Sequence, residues 1–434
     1  MRRTLLFLAA TLSACSSNTN VEEDDDTTPG TGGSGGGGNP VCAPLGEELF
    51  EGTAPTERGD MAAGFDPECN RVLMFFGDAA IPVMCGPAAS QFLTDGYAYD
   101  VNTGLWSSVP VIGVAPLERA RSRGVWDETR GRFILFGGRW RAGSSGAYTF
   151  LNDLWAFDPK TLTWEELSPQ DAAGAPSGRM NMTMAADPDG DRILIHAGGT
   201  LTPNFTAFVS NNETWSFDLA AGTWSQIGFG GTLPPTRLFH MSALDRQNQR
   251  LYVFGGAGDD GFVAASFYDD TWVLDLGSDS WNAVQSAARP EGRIKGEMIY
   301  DADRARMLLF AGHDDTALGN NNDIWSLDTA SNHWAQEKVG DTFNAPALGF
   351  CDFPSNFANV DLSSPERRES QLFDVNGGKA VMYGGRTDCG LARDTWELDL
   401  PTLIWTQINE SLVGMTCYRS GSLNCDEPGA RMCL

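Results

Sequence analysis

The sequence predicts an all-β protein: a β-propeller of six blades, with four antiparallel strands in each. Three observations predict it. A tryptophan returns six times, at Trp106, Trp164, Trp224, Trp281, Trp334 and Trp405, with spacings of 58, 60, 57, 53 and 71 residues. Upstream of each lies an apolar run that ends on glycine, and upstream of that an arginine precedes an aspartate turn. Self-similarity at such a period marks a fold built from stacked or radial units.

Each strand has its own residue pattern. Strand a runs from an Arg to an Asp turn, as in Arg179 to Asp187, and the same Arg–Asp pair opens every unit. Strand b is the apolar run, as in Arg192 to Ala197, closed by Gly77, Gly138, Gly198, Gly256, Gly312 or Gly385. Glycine there permits a positive φ and close backbone approach. Strand c reads acid-x-aromatic-x-apolar, as in Asp153, Trp155 and Phe157, and its period of two places these side chains on one face. The Asp that follows (Asp100, Asp158, Asp218, Asp275, Asp328 or Asp399) begins a tight turn in which its carboxylate accepts backbone N–H groups. Strand d starts at the Trp. A sheet of this kind is apolar on both faces and cannot stand alone, but six arranged radially bury each face against a neighbour.

An apolar strand, a double glycine, then an aromatic or aliphatic residue six short of a Trp resembles the kelch repeat. The resemblance covers six copies, about residues 55–410. It implies a kelch propeller with a–b and c–d turns on one face and long b–c and d–a loops on the other. Every copy is complete, so no blade is shared between the chain ends. Leu45 to Phe50 is placed as a d-like strand and is expected at the edge of the seam between blades 6 and 1.

The regions outside the repeats describe location. Met1-Arg2-Arg3 and the short apolar run Thr4 to Leu12 form a signal peptide, residues 1–14. Leu12-Ser13-Ala14-Cys15 resembles the bacterial lipobox, which implies lipidation at Cys15 and a bacterial cell-envelope lipoprotein. Asp does not follow the Cys, which favours the outer membrane. Residues 15–41 are an acidic and Gly-rich tether, 42–410 the propeller, and 411–434 a Cys-containing tail.

The chain carries 57 acidic and 30 basic residues, a net charge of −27. Without Arg2 and Arg3 the mature chain stands at 28 − 57 = −29. Such a field excludes nucleic acid as a partner and leaves membrane contact to the lipid anchor alone. Of nine cysteines, Cys15 is assigned to lipid, and eight remain for disulfides in an exported chain. The loop faces implied by the kelch topology suggest Cys351 with Cys389, Cys417 with Cys425, Cys42 with Cys69, and Cys85 with Cys433. These are one choice among about 105 connectivities.

Function is less legible. Strand a lines the central channel, so Arg58, Arg119, Arg179, Arg237, Arg293 and Arg367 are expected to ring one mouth. Their guanidinium forks suit a carboxylate or phosphate, such as a sugar acid. The structural alternative is that each Arg bonds loop carbonyls or the neighbouring blade's acid. In the b–c loops, Asp259 and Asp260, and Asp314, Asp315 and Asp323, are close enough in sequence to hold Ca²⁺, though neither loop follows the EF-hand order. His196 occupies an apolar strand b position. Outside the Gly-rich tether no GxSxG occurs, and no HExxH, P-loop or Asp-box pattern is found. Two readings remain. One is a binding module that takes protein or carbohydrate on its loop face. The other is an exported sugar-active enzyme resembling the kelch-type sialic-acid mutarotase. A Glu or His standing free in the channel beside free Arg forks separates them; the candidates are Glu297, His240 and Glu369.

Overall fold

The computed structural model describes residues 42–79, 91–143, 146–202, 207–259, 267–314, 319–340, 364–365, 368–369, 372–375, 378–387 and 390–409. Six antiparallel sheets follow one another along the chain, each with its strands in a–b–c–d order. Blade 1 is Ala62–Asp66, Arg71–Phe75, Gly96–Asp100 and Leu105–Ser108. Blade 2 is Arg123–Asp127, Arg132–Trp140, Thr149–Asp158 and Thr163–Ser168. Blade 3 is Thr183–Asp187, Arg192–His196, Thr214–Asp218 and Thr223–Ile227. Blade 4 is Met241–Asp245, Arg250–Phe254, Thr271–Asp275 and Ser280–Val284. Blade 5 is Glu297–Asp301, Arg306–Phe310, Ile324–Asp328 and His333–Lys338. Blade 6 is Arg368–Glu369 with Leu372–Val375, then Lys379–Thr387, Gly390–Asp399 and Ile404–Asn409. The fold is thus the six-bladed, four-stranded propeller that the repeats imply, and every blade is built from a single repeat.

The core lies between blades. In the first interface Phe75 packs on Phe133, Phe157 and Trp164 with ring centroids 5.0–5.2 Å apart. Four of the six recurring tryptophans reach back to the preceding blade: Trp106 donates to Thr395, Trp224 to Ser168, Trp281 to Thr214 and Trp334 to Thr271. Burying a large aromatic with its N–H satisfied is the strongest single contribution a residue makes to such an interface. The column is not uniform, however. Trp106, Trp281 and Trp334 are buried completely, whereas Trp224 is only half-buried.

Strand a is shorter than expected. It begins four residues after the column Arg, at Ala62, Arg123, Thr183, Met241 and Glu297 in blades 1–5. The cause is a left-handed residue two after the Arg: φ is 57° at Asp60, 59° at Arg121, 54° at Asn181, 61° at Phe239 and 54° at Lys295. The paired glycines are also a matter of φ. The first position is left-handed and accepts Phe76, Ala197 or Ala311 at 56–63°. The second lies at 85–106° in all six blades, where only glycine is at ease. At Gly256 a Cβ would also meet the Leu238 carbonyl at 2.8 Å. That second glycine donates to the carbonyl of the next blade's column Arg, from Gly77 to Arg119 through to Gly385 and Arg58, which closes the ring.

The segment around Leu45 to Phe50 lies on the outer edge of blade 1. Glu48 bridges Ser107 in antiparallel fashion, and Leu49 N–H donates to the Trp106 carbonyl. Leu45 and Leu49 pack against the two cores that flank this blade. A disulfide joins Cys42 to Cys69, with Cα atoms 5.4 Å apart, and ties the segment to the a–b turn. Cys15, Cys85, Cys351, Cys389, Cys417, Cys425 and Cys433 lie outside the described residues. The d–a connections cover other edges: Ile112 runs parallel to Thr163, and Gly230–Gly231 runs parallel to Ser280–Trp281. Covering an edge removes a template for unwanted strand pairing. Among the described residues no helix is long and apolar enough to cross a membrane.

Candidate functional site

The arginine column is the first feature to test. Arg58, Arg119, Arg179, Arg237 and Arg293 are fully buried, and so is Arg368, which takes the sixth place. The expectation of Arg367 is therefore corrected by one residue, and Arg367 itself lies outside the described residues. Each guanidinium donates through Nη1 to the carbonyl of the first glycine-column residue of its own blade, at 2.9–3.2 Å. Each also donates to the acid that opens strand c of the same blade, at 2.6–2.8 Å: Asp95, Asp153, Glu213, Asp270, Asp323 or Asp394. Two residues after that acid, Trp155, Trp215, Trp272, Trp325 or Trp396 donates its indole N–H to the same carboxylate. The columns are thus one device per blade. The forks are spent on protein groups, so the ring of anion-binding arginines does not form. The partner acid is in the same blade, not the neighbouring one.

The other sequence candidates are also placed. Asp323 is the partner of Arg293, Asp314 accepts from Asn321 Nδ2 at 2.9 Å, and Asp259 accepts from the backbone and hydroxyl of Ser210. Asp260 and Asp315 lie outside the described residues. Among the described residues no three His, Cys, Asp or Glu side chains converge as a metal set. The Ca²⁺ reading therefore gains no geometric support from Asp259, Asp314 and Asp323. Glu297 is half-buried, with its side chain 12% exposed, and desolvation pushes its carboxyl up, while Arg123 opposes this. It does not stand free: Arg123 Nη1 meets its Oε2 at 3.0 Å. Those two residues begin strand a of blades 2 and 5, so the ion pair spans the channel as a strut. His240 shares a 2.6 Å hydrogen bond with Thr183 Oγ1, and His196 a 3.0 Å bond with Thr214 Oγ1. The two rings meet edge-on at 5.7 Å, and burial holds both imidazoles well below their ordinary pKa. The side chain of Glu369 lies outside the description.

Sequence reasoning missed the residues two after each column Arg. Their backbones form a chain of hydrogen bonds around the axis: Arg121 N–H donates to Asp60 O, Asn181 to Arg121, Phe239 to Asn181, and Lys295 to Phe239, at 2.8–3.2 Å. Their side chains share no type, so no column reveals them. Left-handed φ at an Arg, a Phe and a Lys costs about 1–3 kcal/mol each, and such outliers concentrate at functional sites. Arg121 and Lys295 both lie over the Phe239 ring, 5.3 and 5.4 Å from its centroid. Arg121 Nε donates to Asp60 Oδ2 at 3.1 Å, and Lys295 Nζ stands 3.9 Å from Asp60 Oδ1. Burial alone would raise the Asp60 pKa, but Lys295, Arg121 and Arg139 outweigh it and hold the carboxyl well below the usual range.

Long b–c hairpins run past the glycines in blades 2 and 6, the latter through Lys379–Thr387 and Gly390–Asp399. Strands b and c of blade 2 run on past the glycines to Trp140 and from Thr149. Arg139 and Ala120 exchange both backbone hydrogen bonds, which holds the hairpin base against the ring. Above it, the guanidinia of Arg139 and Arg141 both lie over the Tyr148 ring, each 4.5 Å from its centroid.

Comparison with known proteins matches this arrangement. The model of the KLHDC2/KLHL20/DRC7 kelch-repeats domain matches residues 48–244 and 191–353, well over half of the chain. The chain belongs to the kelch-repeat family. Similar proteins include kelch domain-containing protein 1 of Mus musculus, 21% identical over 238 residues, which covers 50% of this chain and 53% of that protein. An F-box/kelch-repeat protein of Arabidopsis thaliana is 26% identical over 283 residues, 62% of this chain and 52% of that one. The flagellar outer-arm dynein alpha chain of Chlamydomonas reinhardtii is 32% identical over 164 residues, 37% of this chain but 3% of its own length. The kelch chain spans about half or less of the length of these relatives. As a kelch propeller it is an interaction module, and its repeated columns serve the blades rather than a ligand.

Proposed function

We propose that this kelch propeller is an exported, lipid-anchored protein of the bacterial cell envelope that binds a protein partner through its b–c loop face. The observation that carries the reading is the contrast between the two parts of the axis. Inside the channel the column arginines, Glu297 and His240 are all engaged by protein groups. At the b–c mouth the backbone is left-handed, the side chains differ from blade to blade, and an aromatic–cationic hairpin projects. Aromatic and Arg side chains are the types that dominate protein recognition. The anchor rests on Leu12-Ser13-Ala14-Cys15 and the tether that follows.

Two experiments test it. A photo-crosslinking residue placed at Tyr148 should yield a discrete protein adduct in the envelope, and the same residue at Thr223, on an outer strand, should not. Adducts only from Thr223, or a carbohydrate recovered in place of protein, would overturn the partner assignment. Mass spectrometry should find a lipid-modified Cys15 at the mature terminus. A Cys15→Ala form that still fractionates with membranes would overturn the anchor.

A further inference from the structure

The mouth gathers three cations around two acids, Asp60 and Asp78. Arg121, Arg139 and Lys295 converge there on Asp60, and all three act on its carboxylate. Arg121 and Lys295 reach Asp60 directly, at 3.1 and 3.9 Å. Arg139 is different. Its Nε is buried and meets no hydrogen-bond acceptor among the described residues. One face of its guanidinium is covered by Tyr148. Burial and the like charge of Arg121 pull its pKa down to about 10, against the opposing effect of Tyr148, Asp60 and Asp78. A buried donor without a partner is costly, and natural structures keep few of them without a purpose.

We propose that Arg139, with Arg121 and Lys295 above Phe239, takes a single carboxylate. The inference rests on the reading of the b–c mouth as the binding face and states the chemistry that face accepts. A carboxylate is planar and matches a guanidinium with two parallel hydrogen bonds. Tyr148 covers one stacking face of the guanidinium. Asp60 remains ionised beside the site and repels a second negative charge, which disfavours a dianionic phosphate. The strut of Arg123 and Glu297 lies two residues further along each strand a and crosses the channel below. The carboxylate is therefore held at the mouth, with the rest of its molecule outside. The net charge of −27 works in the same direction: a large polyanion is repelled at long range, while one carboxylate is captured locally. Its source is either a free organic acid or an acidic side chain of the partner, and the two share this chemistry.

The test is equilibrium binding to the full chain in detergent, with acetate, N-acetylglutamate amide, inorganic phosphate and chloride as the probes. Saturable binding of acetate or of the glutamate derivative, weakened about tenfold or more by Arg139→Gln, is the result expected for loss of a bidentate charged contact. Stronger binding of the glutamate derivative assigns the site to a partner's side chain; stronger binding of acetate assigns it to a free acid. Arg246→Gln removes a surface pair with Glu128 and should leave binding unchanged. Equal carboxylate binding in Arg139→Gln, tighter binding of phosphate, or no saturation at millimolar concentration would overturn the proposal. A partner crosslink at Tyr148 that survives Arg139→Gln would sink the carboxylate site and leave the binding face intact. Carboxylate binding without any crosslinked protein would do the reverse.

Discussion

Replacing the acid of one column pair by Ala measures whether the arginines are structural. In blade 2, Arg119 is fully buried and the Asp153 side chain is 10% exposed, with hydrogen bonds of 2.7 and 2.8 Å. Asp153→Ala strands a buried guanidinium, and removing one partner of such a pair costs about 3–5 kcal/mol. Trp155 also loses the acceptor for its indole N–H. In blade 1 the same device is wetter: the Asp95 side chain is 40% exposed. Water can then take the vacated place, and Asp95→Ala should cost only about 1–2 kcal/mol. The double variant Arg119→Met with Asp153→Leu should recover most of the loss, since an apolar pair of similar volume avoids burying a lone charge. Urea melts of the four proteins at one pH give the comparison. Equal losses for Asp153→Ala and Asp95→Ala, or a loss below about 1 kcal/mol for Asp153→Ala, would show that the column arginines do not depend on these acids.

Three further outcomes follow from the same geometry. Trp281→Ala should destabilise by about 3–5 kcal/mol as a fully buried aromatic, whereas half-buried Trp224→Ala should cost roughly half as much, and reversal of that order in urea melts would contradict the burial. His196 and His240 have folded pKa values well below 6.5, so the unfolded chain takes up protons that the folded one refuses. Their stabilising contribution is present above the unfolded pKa and is lost as pH falls below it, by about 1.4 kcal/mol per pH unit for each; His240→Asn should flatten the fall of the urea midpoint between pH 6.5 and pH 5, and an unchanged slope would refute this. Cys42→Ser should free the segment that pairs with Trp106 and Ser107, at a cost of about 3 kcal/mol for a cross-link of this span; limited proteolysis before residue 50 should accelerate, and no change would show that Leu45 and Leu49 hold the edge unaided.

The fold was legible because its requirements repeat. Six interfaces need a tryptophan in the same place, six strand b ends need a glycine at φ near 100°, and six b–c junctions need an Arg–acid pair. Each requirement leaves one residue type in a fixed column. The shift from Arg367 to Arg368 shows the limit of that reading. With two arginines side by side and a different spacing to Asp374, sequence distance alone does not choose between them, and the hydrogen bonds to Gly384 and Asp394 do. The early start assigned to strand a has a similar cause. A left-handed residue is a backbone event, and Arg121, Phe239 and Lys295 are not residue types that announce one.

The same logic explains why the arginine ring was a tempting site and the wrong one. A residue repeated in every blade answers a need common to every blade, and a ligand on the axis has no such symmetry. Recognition requires differences: a compact ligand meets one carboxylate, one aromatic face and a few cations, each from a different blade. At the mouth the conserved element is the conformation alone, and it presents Asp60, Arg121, Asn181, Phe239 and Lys295 in turn. Five identical backbone kinks thus carry five different chemistries to one point, with Arg139 and Tyr148 added by the hairpin of blade 2. In a propeller the column finds the scaffold, and the place where the backbone repeats while the side chains do not is where binding is to be sought.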